Sequence, residues 1–313
     1  MLIVQKFGGS SLAGAERLRR AASIIADSAD AGNKVVAVVS ARGDMTDELL
    51  GQARRISADA PARELDALLS CGETGSAAMT AMQLADMGKS CVSLTGAQAG
   101  ILTDSVHGAA RILSIDTARI MRELDAGKIV VAAGFQGAER GGDTTTLGRG
   151  GSDTTAVELA AALKADRCEI YSDVDGIYTA DPRLVTGAVR LDSIDYGDML
   201  HLALHGSQVL HSRSVEAAMR ANVRVHLLSS FTRREGTVMC KLDDRSGLCG
   251  VTRDPSLGTV SIIGREADAH VLAEAVAALA HSDIIVTRTE LFDGGCSCLL
   301  YTSPSPRDRT RSR

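Results

Sequence analysis

Tryptophan is absent from this sequence, and phenylalanine and tyrosine number only four each. So thin an aromatic complement supplies neither the aromatic belt of a membrane protein nor a stacking platform for single-stranded nucleic acid. The core must be aliphatic. Positive charge is also short: 34 Lys and Arg stand against 39 Asp and Glu, and the net charge of −5 offers phosphate backbones no attraction. Nucleic acid is therefore not expected as a partner. Long apolar runs are missing too, since "KVVAVVSA" and "KIVVAAGF" fall far below the roughly 20 residues of a bilayer span. The start, "MLIVQKFGGSS", lacks the basic region and long apolar stretch of a secretory signal, so a cytoplasmic address is expected. Seven Cys are scattered, with Cys296 and Cys298 the one close pair; this fits neither a disulfide framework nor zinc-ligand spacing. They read as reduced thiols, mostly buried.

What is present is an alternation. Short runs rich in Val, Ile and Leu, at 2–7, 34–40, 90–95, 128–134, 167–172 and 222–228, predict strands. Between them, "AGAERLRRAASIIADSAD", "ETGSAAMTAMQLADMG", "SIDTARIMRELDAG" and "SDTTAVELAAALKAD" carry apolar residues at helical spacing. The expected fold class is α/β, with a mainly parallel central sheet between helical layers. After about residue 230 the texture becomes polar and turn-rich. A β-α-β pattern follows that is too small to be stable alone. The organisation expected is a catalytic domain over 1–232, a linker over 233–257, an incomplete regulatory region over 258–297 and a disordered tail over 298–313. The stretch "LLYTSPSPRDRTRSR" holds two of the five Pro and four Arg against one Asp, and resembles translated adapter sequence foreign to the protein.

Five stretches carry chemistry. In "VQKFGGSS" a strand end turns through Gly8, Gly9 and Ser10 toward a helix starting near Ala15. Such a turn lets backbone N–H groups approach an anion, with Lys6 beside it, or it is simply a tight turn with a solvated Lys. It is not a P-loop, since Ala15 and Glu16 stand where Lys and Ser or Thr belong. "VVSARGDMTDEL" ends a strand at Ser40 and places Gly43, Thr46 and Asp47 in a polar loop, suited to ligand recognition or to capping a helix. In "SCGETGSAAMTAM", Gly72 and Glu73 open a helix, where Glu73 either complements the dipole or accepts a hydrogen bond from a substrate amino group. "TLGRGGSDTTAVELAAAL" sets Gly148, Gly150 and Gly151 around Arg149, a planar guanidinium suited to a carboxylate, with Ser152 and Asp153 placed to cap the next helix. Asp153 stands where a dinucleotide fingerprint needs its last glycine. "YSDVDGIYTADPR" gathers Asp173, Asp175, Tyr178, Asp181 and Arg183 at a strand end without the EF-hand register, and reads as a nucleotide loop. His201, His205 and His211 sit at helical spacing without a zinc motif and read as structural.

Together "KFGGSS", "VVSA", "GRGGSD" and "DVDGIYTADPR" resemble, in order and spacing, the aspartokinases of the amino acid kinase family. The resemblance implies an αβα sandwich followed by a partial ACT-like, ferredoxin-like region. It implies transfer of a phosphoryl group from ATP, with Mg²⁺, to the side-chain carboxylate of L-aspartate, in the route to lysine, threonine and methionine. By it, Lys6, Phe7, Gly8, Gly9, Ser10, Ser172, Asp173, Tyr178, Asp181 and Arg183 surround ATP. Ser40, Thr46, Glu73, Arg149, Ser152 and Asp153 surround aspartate, and Lys6, Arg149 and Asp153 carry the catalysis; no metal-binding side chains are assigned. Gln208 departs from the Lys that this family often has there, which weakens ATP binding. The intact protein is expected to be a homodimer, and the incomplete ACT-like region implies weakened feedback inhibition. Kinases of the same fold acting on glutamate, acetylglutamate or a nucleoside monophosphate, and a catalytically silent ligand sensor, are the alternatives.

Overall fold

The computed structural model describes residues 1–300 apart from 233, 244–246, 255–257 and 283. β1 (Leu2–Phe7) leads through a single turn, α1 (Gly9–Leu12), into α2 (Ala15–Asp30) and β2 (Lys34–Val39). Two helices, α3 (Met45–Ile56) and α4 (Ala62–Asp86), precede β3 (Cys91–Leu94). Next come β4 (Ile101–Thr103), β5 (Ile112–Ile115), α5 (Ala118–Asp125), β6 (Ile129–Ala133), β7 (Gln136–Ala138) and β8 (Thr144–Thr146). They are followed by α6 (Gly151–Leu163), β9 (Arg167–Ser172), β10 (Ser193–Ile194), α7 (Tyr196–Leu204), α8 (Ser212–Ala221), β11 (Val225–Ser229) and β12 (Thr237–Met239). The last elements are β13 (Leu248–Asp254), β14 (Thr259–Gly264), α9 (Ala269–His281), β15 (Val286–Phe292) and β16 (Gly295–Leu300).

Eight strands form the main sheet in the order β10-β12-β11-β9-β1-β2-β6-β3, parallel except for the β11–β12 pair. Central strands are apolar on both faces because both are covered: Val35 to Val39 of β2 are all buried. One face packs α5, α6, α7 and α8; the other packs α2 and α4. This is the αβα sandwich expected from the sequence. α6 lies deepest, its Ala, Thr, Val and Leu side chains buried nearly all round. A second sheet, β5-β4-β7-β8, stands beside the main one.

Several expectations need correction. The helix expected to open at Glu73 begins at Ala62, behind Pro61, because apolar spacing continues backward through Leu69. The loop expected after Ser40 contains α3. Of the thiols, Cys168, Cys296 and Cys298 are buried, Cys91, Cys240 and Cys249 half-buried and Cys71 exposed, so burial is less general than expected. No described helix is long and apolar enough to cross a membrane.

The ACT-like region is an antiparallel sheet, order β13-β14-β16-β15, with α9 against it. The stretch expected to be a linker holds β12, which lies between β10 and β11 in the main sheet, and β13. Of the expected tail, Cys298, Leu299 and Leu300 are paired within β16, because burial of Cys298 continues the strand; residues 301–313 lie outside the described residues. His201 of α7 and His205, its C-cap, pack on Phe292, His205 stacked at 4.4 Å. His211 is not on that helix: its ring caps α8 by accepting from Arg213 N.

Candidate active site

The carboxyl ends of β9, β1, β2 and β6 lie side by side, where open α/β sheets gather ligands. At the end of β1, the Gly8 amide donates to the Tyr171 carbonyl at 3.2 Å, and Phe7 stacks on Tyr171 with centroids 4.8 Å apart. The helix meeting this turn is the four-residue α1 rather than the long α2, which starts only after Gly14. Its dipole is correspondingly small, so amides of the turn carry any anion binding. The two glycines differ. A Cβ on Gly9 would lie 2.5 Å from the Ala41 carbonyl, whereas one on Gly8 meets nothing nearer than Lys6 Nζ at 3.6 Å. Gly9→Ala is therefore expected to lose about 1 to 3 kcal/mol of stability by overpacking, and Gly8→Ala to melt like the parent; equal melting of both variants in calorimetry would contradict this.

Strand alternation turns Val4 and Lys6 toward α6, and Gln5 and Phe7 toward α2. Lys6 Nζ reaches Asp153 Oδ1 at 2.6 Å, with side chains only 10% and 14% exposed. Asp153 is in the first turn of α6 but does not cap it, and neither does Ser152. The N-cap is Gly150, left-handed at φ 68°, a conformation that costs glycine nothing. Asp153 spends its carboxylate on Lys6 instead.

Glu73 lies mid-way along α4, not in its first turn. Its Oε1 accepts the Ala41 amide at 3.1 Å, while Oε2 is buried without a partner among the described residues. Burial pushes the carboxyl up to about 7, against the opposing pull of the Ala41 amide.

Ser40 stands half-buried at the end of β2, its amide bonded to the Phe7 carbonyl at 3.1 Å. Thr46 lies in the first turn of α3, where neither it nor Asp47 is the cap: that position is Asp44, which makes no side-chain cap bond. Arg149 is exposed, with no ion pair or hydrogen bond to a described residue. Beyond β9, Ser172 Oγ accepts the Val174 amide and Asp173 is exposed. Tyr178 donates to Asp175 at 2.9 Å. Asp181 and Arg183 close on each other at 2.8 Å, so Arg183, 87% exposed, is engaged locally. Ser10 offers its carbonyl to Arg17.

The candidate residues thus fall into two groups, one after β9 and one around β2, α4 and α6, with the Lys6–Asp153 pair between them because β1 lies between β9 and β2. Sequence reasoning missed Tyr171, which backs the glycine turn, and Arg234, which pairs with Asp175 at 2.7 Å. Neither has a local signature; both act across strands.

The amino acid kinase family model matches residues 1–229. The aspartokinase of Corynebacterium glutamicum is 45% identical over 313 residues, covering 97% of this chain and 74% of that protein. The chain belongs to the aspartokinases of the amino acid kinase family. A further aspartokinase, from Mycolicibacterium smegmatis, is 47% identical over 290 residues, or 90% of this chain and 69% of the relative. Aspartokinase III of Escherichia coli, solved in complex with aspartate and ADP, has a TM-score of 0.73 at 27% identity over 97% of this chain and 79% of its own. As a family member the chain is a kinase, a phosphotransferase.

Proposed function

We propose that the chain transfers the γ-phosphoryl group of ATP to the side-chain carboxylate of L-aspartate, giving 4-phospho-L-aspartate and ADP, the entry step to lysine, threonine and methionine. The observation that carries this is the Lys6–Asp153 pair at the end of β1, flanked by the acidic, turn-rich loop after β9 and by the buried Glu73. The aspartate and ADP held by the Escherichia coli relative support it.

A carboxylate is already nucleophilic at neutral pH, so the chemistry demands alignment and charge neutralisation rather than a covalent enzyme intermediate. An aspartate oxygen forms the new bond to the γ-phosphorus; the bond to the β,γ-bridging oxygen breaks and leaves its electron pair on ADP. Lys6, held by Asp153, and the amides of Gly9 and Ser10 stabilise charge spreading over the phosphoryl oxygens, the Gly8 amide being bonded to the Tyr171 carbonyl. Phe7 contributes backbone only, its ring being committed to Tyr171. Ser172, Asp173, Tyr178, Asp181 and Arg183 line the nucleotide's path. Arg149 clamps an aspartate carboxylate, Glu73 takes the ammonium, and Ser40, Thr46 and Ser152 supply hydroxyls.

Among the described residues no group of three or more His, Cys, Asp or Glu is arranged for a metal. Magnesium usually needs only one or two carboxylates alongside phosphate oxygens. Asp173, exposed beyond the end of β9, would be the carboxylate to hold a magnesium ion arriving with ATP, Asp153 being paired with Lys6, and the ion would supply neutralisation of phosphate charge.

The test is a hydroxamate assay for acyl phosphate with aspartate, glutamate and acetylglutamate, coupled to ADP detection. Acyl phosphate from aspartate alone is expected; preference for another acceptor, or ATP binding without turnover, overturns the reading. The pH dependence is also defined. With the Glu73 carboxyl near 7, the free enzyme below that pH must give up a proton to accept an ammonium. Its affinity for aspartate falls as pH drops, and KM at pH 6 is expected about tenfold above that at pH 8. In Glu73→Gln this slope disappears; a slope that survives the substitution removes Glu73 from the role.

A further inference from the structure

Arg149 has no partner among the described residues, yet the loop that carries it is gripped from two sides by residues the mechanism does not use. From α4, the buried Asp66 carboxylate accepts from four donors: the Gly108 amide at 3.0 Å, His107 Nδ1 at 2.9 Å, the Thr146 amide at 3.0 Å and the Thr146 hydroxyl at 2.5 Å. From α8, Arg213 forks to the carbonyls of Leu147 and of Ala110, the second at 2.9 Å. Carboxylate and guanidinium therefore hold the same two segments, 107–110 and 146–147, which the Ala110 amide also joins through the Thr146 carbonyl at 2.9 Å.

The next residues leave no slack. A Cβ on Gly148 would lie 3.0 Å from the Gly108 carbonyl, and one on Gly150 would lie 2.2 Å from His211 Cβ at the start of α8. Arg149 is thus the one long side chain of a loop whose backbone is braced on both flanks. Asp66 stands about two helical turns before Glu73 on the same buried side of α4. A single helix therefore fixes both the proposed ammonium partner and the strand end from which the guanidinium projects.

We propose that Asp66 and Arg213 are positioning residues for aspartate capture, acting through Arg149 by fixing where its guanidinium can reach. The proposal rests on the reading of Arg149 as the carboxylate clamp. A buried carboxylate whose two oxygens both accept hydrogen bonds, and a guanidinium shared between two carbonyls, each give a direction as well as a tether. A loop held by one of them alone would pivot about it.

The experiment is a double-mutant cycle in the full chain, with Asp66→Asn and Arg213→Lys each made alone and in an Arg149→Ala background. KM for aspartate, KM for ATP and kcat are measured, with thermal melting of each variant. Asp66→Asn and Arg213→Lys are expected to raise KM for aspartate about tenfold each, with KM for ATP within twofold of the parent. In the Arg149→Ala background the same substitutions should change KM for aspartate less than twofold, since the side chain they orient is gone. Equal effects in both backgrounds overturn the proposal and leave the Arg149 reading standing. If Arg149→Ala alone leaves KM for aspartate unchanged, that reading fails and the proposal falls with it. Should Asp66→Asn fail to fold, the Arg213→Lys arm decides by the same criteria.

Discussion

Lys6→Ala lowers kcat by about 100-fold or more, the scale on which removal of one pre-aimed transition-state donor is felt, while KM for aspartate changes little. The reason lies in how the amine is held. Its Nζ is 2.6 Å from Asp153 and almost enclosed, so the cation is oriented before substrate arrives and pays no reorganisation at the moment of transfer. Substitution also strands Asp153 in a site only 14% exposed, so some loss of thermal stability accompanies the kinetic one. Single-turnover measurement at saturating substrates separates the two, because only folded enzyme contributes to the observed rate constant. Unchanged turnover in the purified variant removes Lys6 from the chemistry.

Arg149→Ala raises KM for aspartate about 30- to 100-fold, equivalent to about 2 to 3 kcal/mol for a lost charge-assisted contact, with kcat near the parent's. A clamp that grips the ground state and the transition state alike contributes to binding and not to turnover. Here the substitution is unusually clean: the side chain is exposed and bonded to no described residue, so removing it should leave the melting temperature where it was. Loss of kcat alone would contradict the clamp. A large fall in melting temperature would instead point to a structural role for Arg149.

The parallel strands were legible because burial on both faces forces unbroken runs such as the "VVAVV" of β2, whatever the distant packing. The site motifs were legible for a related reason: strand-to-helix turns advertise themselves through glycine. What escaped has no such imprint. β4, β7 and β8 are three residues each, too short for any period to show. The Ala-rich half of α4 shows its helical spacing plainly, whereas Pro61 alone marks its true beginning. That half alone places Glu73 in a first turn, where its charge would be solvated, and hides the mid-helix burial that raises its proton affinity. Asp66 and Arg213 escaped for a different reason: their partners lie 80 residues away for Thr146 and 66 for Leu147. No local window spans that distance.

The pairing of β1 with its two neighbours has a consequence for how this enzyme can vary. Lys6 stands opposite Val38 on one side and Ile170 on the other. The two-residue pleat makes its orientation a matter of parity. Inserting or deleting a single residue before it would swing Gln5 or Phe7 beneath α6 and send the amine into the α2 layer. Length changes in that strand are thus quantised: an even number preserves phase, an odd number inverts it, and Asp153 would face an amide or a ring where it now meets an amine.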